Sequence, residues 1–555
     1  MTPDTANLRK ISLVEAVPNE YVCLQDLRTI ADPQYCCSSS RSRIPNPGYD
    51  PNTRQPATVA ERRKPNGTHF LIRGNWFPKV WRIGTIFAPC NWFSSYCQKR
   101  KPIMSSSASP KQNLSAAYEL LKQWTDIREA DSLETLGPAA IYKTSVVLWL
   151  MLFQRLNPGA SLRDAVLHFV ETAPEELKTN KRLRDGSLST GTGSYSDAKH
   201  RLTLKTAQWF EHRVASSIID STPPCWGDQR VFLIDGTTFC LAPVPPLQKQ
   251  YPPASNQYGE SVWPIALVVF AHELSSGASL PPEIGAMYGP DAVSETKLAQ
   301  SLIKRLPPRS IVMADAGFGI FSTAYHAKQN GHNFVMRLSK DRFNRIRKNA
   351  VIIGTSHNSK SYRVDWTPSP KERASNPELP KAFSIPCTIH EIQIGETTLY
   401  IIEDINVSVK QLLGLYRQRN EIEIDIRNIK LVLGTEEIRA KSTEMFLKEF
   451  ALSMVAYNLT TQIRRESAKI ADCMPRDLSF TGIWSVYRHT LQGIEVTDPS
   501  EWNGRLERAL KYGSQQKLPK RPGRSYPREA YGKRPKTTHF QKRKKPKPSD
   551  ESNSE

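Results

Sequence analysis

A mixed α/β sheet is the fold class predicted for the centre of this 555-residue chain, and three observations predict it. Two continuous apolar runs, VFLID at 231–235 and SIVMAD at 310–315, each end in an acid, as strands buried on both faces do. Helical patterns alternate with the extended ones, which layers helices on a sheet. A long amphipathic helix then follows a last apolar strand, TLYIIED at 398–404.

Taken in order, residues 1–103 are rich in Pro, Arg, Ser and Cys and hold no sustained helical or strand period. They read as disordered, or as a mis-called extension, because Met104 opens SSSASP and the well-patterned helix SAAYELLKQWTDI. Residues 104–225 form a helical region with AIYKTSVVLWLMLFQRL, SLRDAVLHFVETA (Ser161 as N-cap) and TAQWFEHRVASSII. Between the last two, STGTGSYSDAKHRL is a small-residue loop ending in Lys199, His200 and Arg201. That basic lip suits a DNA groove and equally suits the solvated face of an ordinary helical subdomain. A catalytic domain is expected over 226–465. It contains the strand WPIALVVFAHE (263–273), the helix SETKLAQSLIKRL capped by Ser294, a helix near 320–330 and the strand HNFVMRL (332–338). Residues 341–397 are basic, Pro-bearing and partly β-like, and read as an insertion. The amphipathic helix 445–466 closes this part, followed by a weaker helical region at 466–514 and a basic disordered tail at 515–555.

The chemistry concentrates in LLGLYRQRNEIEIDIRNIKLVLG. Tyr416, Arg419, Glu423 and Lys430 are offset by three, seven and fourteen residues. At about 100° per residue they share one helix face within about 60°. Leu415, Ile422, Ile426, Ile429 and Leu433 form an apolar stripe beside them, while Glu421 and Asp425 point elsewhere. One carboxylate between two cations and a phenol suits metal-assisted work on phosphates, and the plain alternative is a salt-bridged helix face. Asp235 and Asp315 each terminate a strand just before a glycine, in DGTT and DAGFG. Either alone reads equally well as a turn or capping residue. Side by side at one sheet edge they repel strongly without a cation, and a divalent metal resolves this. Oxygen-only ligation by Asp235, Asp315 and Glu423 favours Mg²⁺, or Mn²⁺, over zinc, and two ions per site suit in-line phosphoryl transfer.

This order of residues resembles the DDE transposases of bacterial insertion sequences. The helix matches the Y-x2-R-x3-E-x6-K pattern of the IS-four family, and the 107 residues between Asp315 and Glu423 leave room for that family's β-rich insertion. GSYSDAKHRL is similar to a less specific stretch in related proteins, so the resemblance spans roughly 120–465. It implies an RNase H-like core, Mg²⁺-dependent cleavage at the element's ends and transfer of the freed 3′-hydroxyl into target DNA. By the same resemblance Asp235, Asp315 and Glu423 bind the metals, and Tyr416, Arg419 and Lys430 hold double-stranded DNA. Trp366 becomes a candidate for holding a flipped base. A homodimer on paired DNA ends, in a bacterial cytoplasm at the nucleoid, is likewise implied.

Composition agrees with a polyanionic partner. The formal charge is +22, and thirteen Lys/Arg against one acid, Glu529, lie between Lys517 and Lys547. That tail reads as a non-specific DNA-binding arm or as a solubilising one. Nine cysteines without a CxxC or His/Cys cluster support neither structural zinc nor a disulfide framework. The longest apolar run, Val146 to Phe153, is too short for a bilayer. Two other classes fit the same residues: a metal-dependent nuclease of this fold, and a non-catalytic DNA-binding relic.

Overall fold

In the computed structural model the described residues are 126–137, 140–172, 180–256, 259–380, 382–491 and 499–519. The expectations for 1–103, for the helix over 115–125 and for the tail beyond 519 lie outside them.

The strands are β1 (Val231–Cys240), β2 (Pro253–Asn256), β3 (Gly259–Glu273), β4 (Glu283–Ala286), β5 (Ile311–Ala314), β6 (Asn333–Arg337), β7 (Val351–Ser356), β8 (Ser359–Trp366), β9 (Ile385–Ile394) and β10 (Thr397–Glu403). They form one mixed sheet in the order β2-β3-β1-β5-β6-β10-β9-β8-β7, with β4 also paired to β3. At its centre β1 runs parallel to β5 and β5 parallel to β6. The first four residues of β1 and all of β5 are buried, as the continuous apolar runs predict. The expected insertion is β-rich. β9, β8 and β7 extend the same sheet, joined through β10, which pairs antiparallel with β6.

One difference concerns β1. Asp235 does not end its strand, because the antiparallel partner β3 keeps pairing with it as far as Cys240. The parallel partner β5 stops earlier, at the Ile234–Ala314 pair. Asp235 therefore stands where the sheet loses a parallel neighbour, and Asp315 follows the strand that stops.

The helices include α1 (Thr144–Leu156), α2 (Leu162–Thr172), α3 (Gly193–Arg201), α4 (Leu204–Asp220), α5 (Glu295–Ile303), α6 (Phe321–Gln329), α7 (Lys340–Arg347), α8 (Pro370–Ser375), α9 (Val409–Tyr416), α10 (Glu421–Arg427) and α11 (Thr443–Ala471), besides two short helices at Lys181–Arg184 and Pro245–Gln250 and two C-terminal ones at Phe480–Val486 and Pro499–Ser514. Ser161 and Ser294 cap α2 and α5 as expected, their hydroxyls accepting from the backbone of Asp164 and Lys297. The small-residue loop is instead helical from Gly193, as α3. Nor is Lys199 part of a solvent-facing basic lip: it is buried and its Nζ pairs with Glu449 on α11 at 3.0 Å. His200 and Arg201 stay exposed. Helices α1 and α4 pack against α11, which tethers the N-terminal helices to the sheet layer. Among the described residues no helix is long and apolar enough to cross a membrane.

Candidate active site

The segment carrying Tyr416 to Lys430 is not one regular helix. After α9 it tightens to a 3₁₀ turn at Arg417–Asn420, resumes as α10, and widens to a π-helical turn at Asn428–Val432. The apolar stripe survives these changes: Leu415, Ile422, Ile426, Ile429 and Leu433 are all buried. Asp425, on the other side, is fully buried and accepts from Arg476 at 2.7 Å, with Glu421 3.8 Å from the same guanidinium.

All three predicted carboxylates meet one cation. Arg419 Nη2 lies 3.0 Å from Asp235 Oδ2 and 3.6 Å from Asp315 Oδ2, and its Nη1 lies 2.6 Å from Glu423 Oε1. Each aspartate spends its other oxygen on local backbone. Asp235 Oδ1 accepts from the amide of Gly236 at 2.9 Å, and Asp315 Oδ1 from that of Gly317 at 2.8 Å. The second oxygen of each is thus turned toward the guanidinium. Arg419 is only 8% exposed, and its Nε has no hydrogen-bond partner. Burial works against its charge, but Asp235 and Asp315 outweigh it and hold the guanidinium pKa above its usual value. Asp235 responds the opposite way. Burial, offset in part by Arg419 and reinforced by Asp315, pushes its carboxyl up to about 7.

Tyr416 and Lys430 face the same sheet edge but not solvent. Tyr416 is buried with its hydroxyl 3.5 Å from the carbonyl of Ala314, the last residue of β5. In this conformation it props the strand that delivers Asp315. Lys430 donates to the carbonyl of Thr238 at 2.7 Å and sits 4.8 Å over the ring of Phe239. Burial lowers its pKa, and Glu436, 3.6 Å away, partly restores it. Trp366 is core: 4% exposed and edge-to-face with Phe321 at 5.4 Å, so it is not poised to hold a flipped base.

Two residues escaped sequence reasoning. Arg342 on α7 donates to the carbonyls of Ala316 and Gly319, bracing the loop after Asp315. Glu372 on α8 accepts from the amide of Phe321 at the start of α6, where that loop ends. Both come from the insertion, whose basic composition concealed individual roles.

Among the described residues no three His, Cys, Asp or Glu side chains already stand at metal-ligand spacing, because the guanidinium lies between the carboxylates. The donor set nonetheless fits a hard divalent ion: all oxygen, anionic, crowded enough to raise Asp235, and served by one cation.

A partly buried acid on β1, a second acid at the end of parallel β5 and a third on a later helix define a three-carboxylate site on a mixed α/β sheet. Residues 226–459 match the family described as "Transposase DDE domain", a span that includes all six predicted site residues. The chain carries a DDE transposase domain, as its resemblance to DDE transposases indicated. A piggyBac transposase synaptic complex with hairpin DNA is among the similar solved structures, at 12% identity and a TM-score of 0.34, covering 74% of this chain and 85% of that one. A likeness at that level carries no conclusion here. No curated protein matches the chain.

Proposed function

We propose that this protein is a transposase of the IS-four type that cuts DNA at the ends of its element and joins the freed 3′-hydroxyl to target DNA. The observation that carries the reading is the convergence of Asp235, Asp315 and Glu423 on one guanidinium inside the DDE domain. The order β4-β3-β1-β5-β6, with β1, β5 and β6 parallel, supports an RNase H-like core.

Asp235, Asp315 and Glu423 would hold Mg²⁺ or Mn²⁺, two ions per site, which activate a water or 3′-hydroxyl and stabilise the leaving oxygen. Arg419 offers a planar fork to a phosphate once released from the carboxylates, and Lys430 a point charge. Glu423, with half its side-chain surface exposed, is the most accessible of the three acids. Tyr416, Arg342 and Glu372 position: they hold the end of β5 and the loop that fixes Asp315. Double-stranded DNA is the partner, and a homodimer would supply one protomer per element end.

The test is a Mg²⁺-dependent cleavage and strand-joining assay with the full chain, on DNA carrying the segments that flank its gene, with Glu423→Gln alongside. End-specific cutting and joining that vanish in the variant are expected. Cutting without joining assigns a nuclease of the same fold, and binding without cutting a DNA-binding relic.

A further inference from the structure

A polar chain crosses one face of β8, β9 and β10, apart from the three carboxylates. Ser361 and His390 are cross-strand partners, and His390 pairs in turn with Ile401. Glu403 stands two residues further along β10 and so on the same face. Ser361 Oγ lies 2.9 Å from His390 Nδ1, and His390 Nε2 lies 3.3 Å from Glu403 Oε1. His390 and Glu403 are buried, at 2% and 1% exposed. A carboxylate only accepts, so Nε2 carries a proton, and in that tautomer the Ser361 hydroxyl donates to Nδ1. The other oxygen of Glu403 reaches off the sheet: Oε2 accepts from the amides of Ile405 and Asn406 at 2.6 and 2.7 Å. Asn406 has a φ of 52°, a left-handed conformation that a residue other than glycine keeps where its surroundings impose it. Only Val407 and Ser408 separate Asn406 from α9. From there the chain runs without a break through the 3₁₀ turn with Arg419 into α10 with Glu423.

A buried polar pair adds little stability over apolar side chains of the same volume, so stability alone does not account for this one. We infer that His390 is a positioning residue for the carboxylate site. By holding Glu403 it fixes the 405–408 turn, and through that turn the direction in which α9 and α10 present Arg419 and Glu423. The inference rests on the DNA-cleavage reading above and deepens it, because it ties the β-rich insertion to the helix that completes the site.

The experiment compares full-length wild type with the double variant His390→Phe/Glu403→Leu and with His390→Gln. It records Tm, hydrogen exchange over 403–416, and kcat and KM for Mg²⁺-dependent cleavage of DNA carrying the segments that flank the gene. The double variant removes both polar partners at once and leaves no buried charge, so its Tm should match or exceed that of wild type. Its amides at Ile405 and Asn406 should exchange at least about tenfold faster. Its kcat should fall at least about tenfold with KM little changed, because the helix is misaimed while no DNA contact is lost. His390→Gln still offers an N–H to Glu403 and should restore both protection and kcat. If the double variant folds poorly, Glu403→Ala, which removes the acceptor alone, is read in its place by the same criteria. A folded variant with wild-type exchange or wild-type kcat, beside an active wild type, overturns the inference and leaves the cleavage reading standing. A wild type that binds this DNA without cutting it removes the cleavage reading, and this inference with it.

Discussion

Arg419 is the only cation shared by Asp235, Asp315 and Glu423 among the described residues, so replacing it with glutamine tests the whole arrangement. Removing one member of a buried ion pair leaves uncompensated charge and costs about 3–5 kcal/mol. Here the cation is buried but its partners are not fully so: Asp235, Asp315 and Glu423 side chains are 19%, 30% and 51% exposed. Water screens what remains, which lowers the expected loss to about 2–4 kcal/mol. For a domain of this size that is a fall in Tm of roughly 4–15 °C at pH 8 in EDTA. Mn²⁺ should then stabilise Arg419→Gln more than wild type, because in wild type the ion must first displace the guanidinium. A ligand at about a hundred times its Kd contributes about 2.7 kcal/mol, so much of the loss returns. Scanning calorimetry with and without Mn²⁺ reads both effects. Equal melting of variant and wild type in EDTA, or equal Mn²⁺ shifts, would refute the counter-ion role.

Three more expectations follow from the same geometry. Asp235 has its folded-state pKa raised from 3.8 to about 7, so its protonation favours the folded state below pH 4 and that contribution is lost between about pH 4 and 7. Metal-free Tm should fall across that window while Mn²⁺ affinity climbs and levels above it, and a Tm profile for Asp235→Asn parallel to wild type would remove the cause. Arg476→Met takes from fully buried Asp425 its nearest cation and leaves beside it His272, which burial holds neutral by lowering its pKa to about 4. The single variant should lose about 3–5 kcal/mol, and Arg476→Met with Asp425→Leu should recover at least half, a coupling that a double-mutant cycle reads directly. Lys430→Met, which keeps the packing on Phe239, should hold stability within about 1 kcal/mol yet lower the salt slope of DNA binding by about one unit; an unchanged slope denies Lys430 a phosphate contact.

Some of this was legible because it is local. An apolar run of four or five residues ending in an acid marks β1 and β5 wherever they pair, and Ser294 signals its cap through the next turn. The stripe from Leu415 to Leu433 needs only helical repetition, and it tolerates a 3₁₀ turn and a π turn because each shifts the face by a fraction of a turn. What could not be read depends on distant pairing. Lys199 read as part of an exposed basic lip, DNA-facing or merely solvated, until Glu449, 250 residues away, buried it. That β7 to β9 of the insertion join the central sheet was not legible, because sheet order is not written in any one strand. Glu295 follows a capping serine, where an acid is the ordinary helix N-terminal residue, so its approach to Gly236 left no local mark. Gly236 was the available signal: a glycine in an otherwise regular strand implies that something else approaches.

The guanidinium also explains how three like charges from positions 235, 315 and 423 coexist before any ligand arrives. Each carboxylate that reaches the strand ends raises the cost of the next, and a planar fork with donors on both arms neutralises them together. That solution must be undone for function. Divalent ions supply the charge the acids need, but they leave Arg419 buried against other cations; a phosphodiester supplies the anion Arg419 needs, but leaves the acids unpaired. Either ligand alone relieves half of the exchange, and the two together relieve all of it. Metal and DNA should therefore bind with positive coupling, and by linkage DNA must raise Mn²⁺ affinity by the factor that Mn²⁺ raises DNA affinity. The coupling belongs to Arg419, so it should vanish in Arg419→Gln even where each ligand still binds.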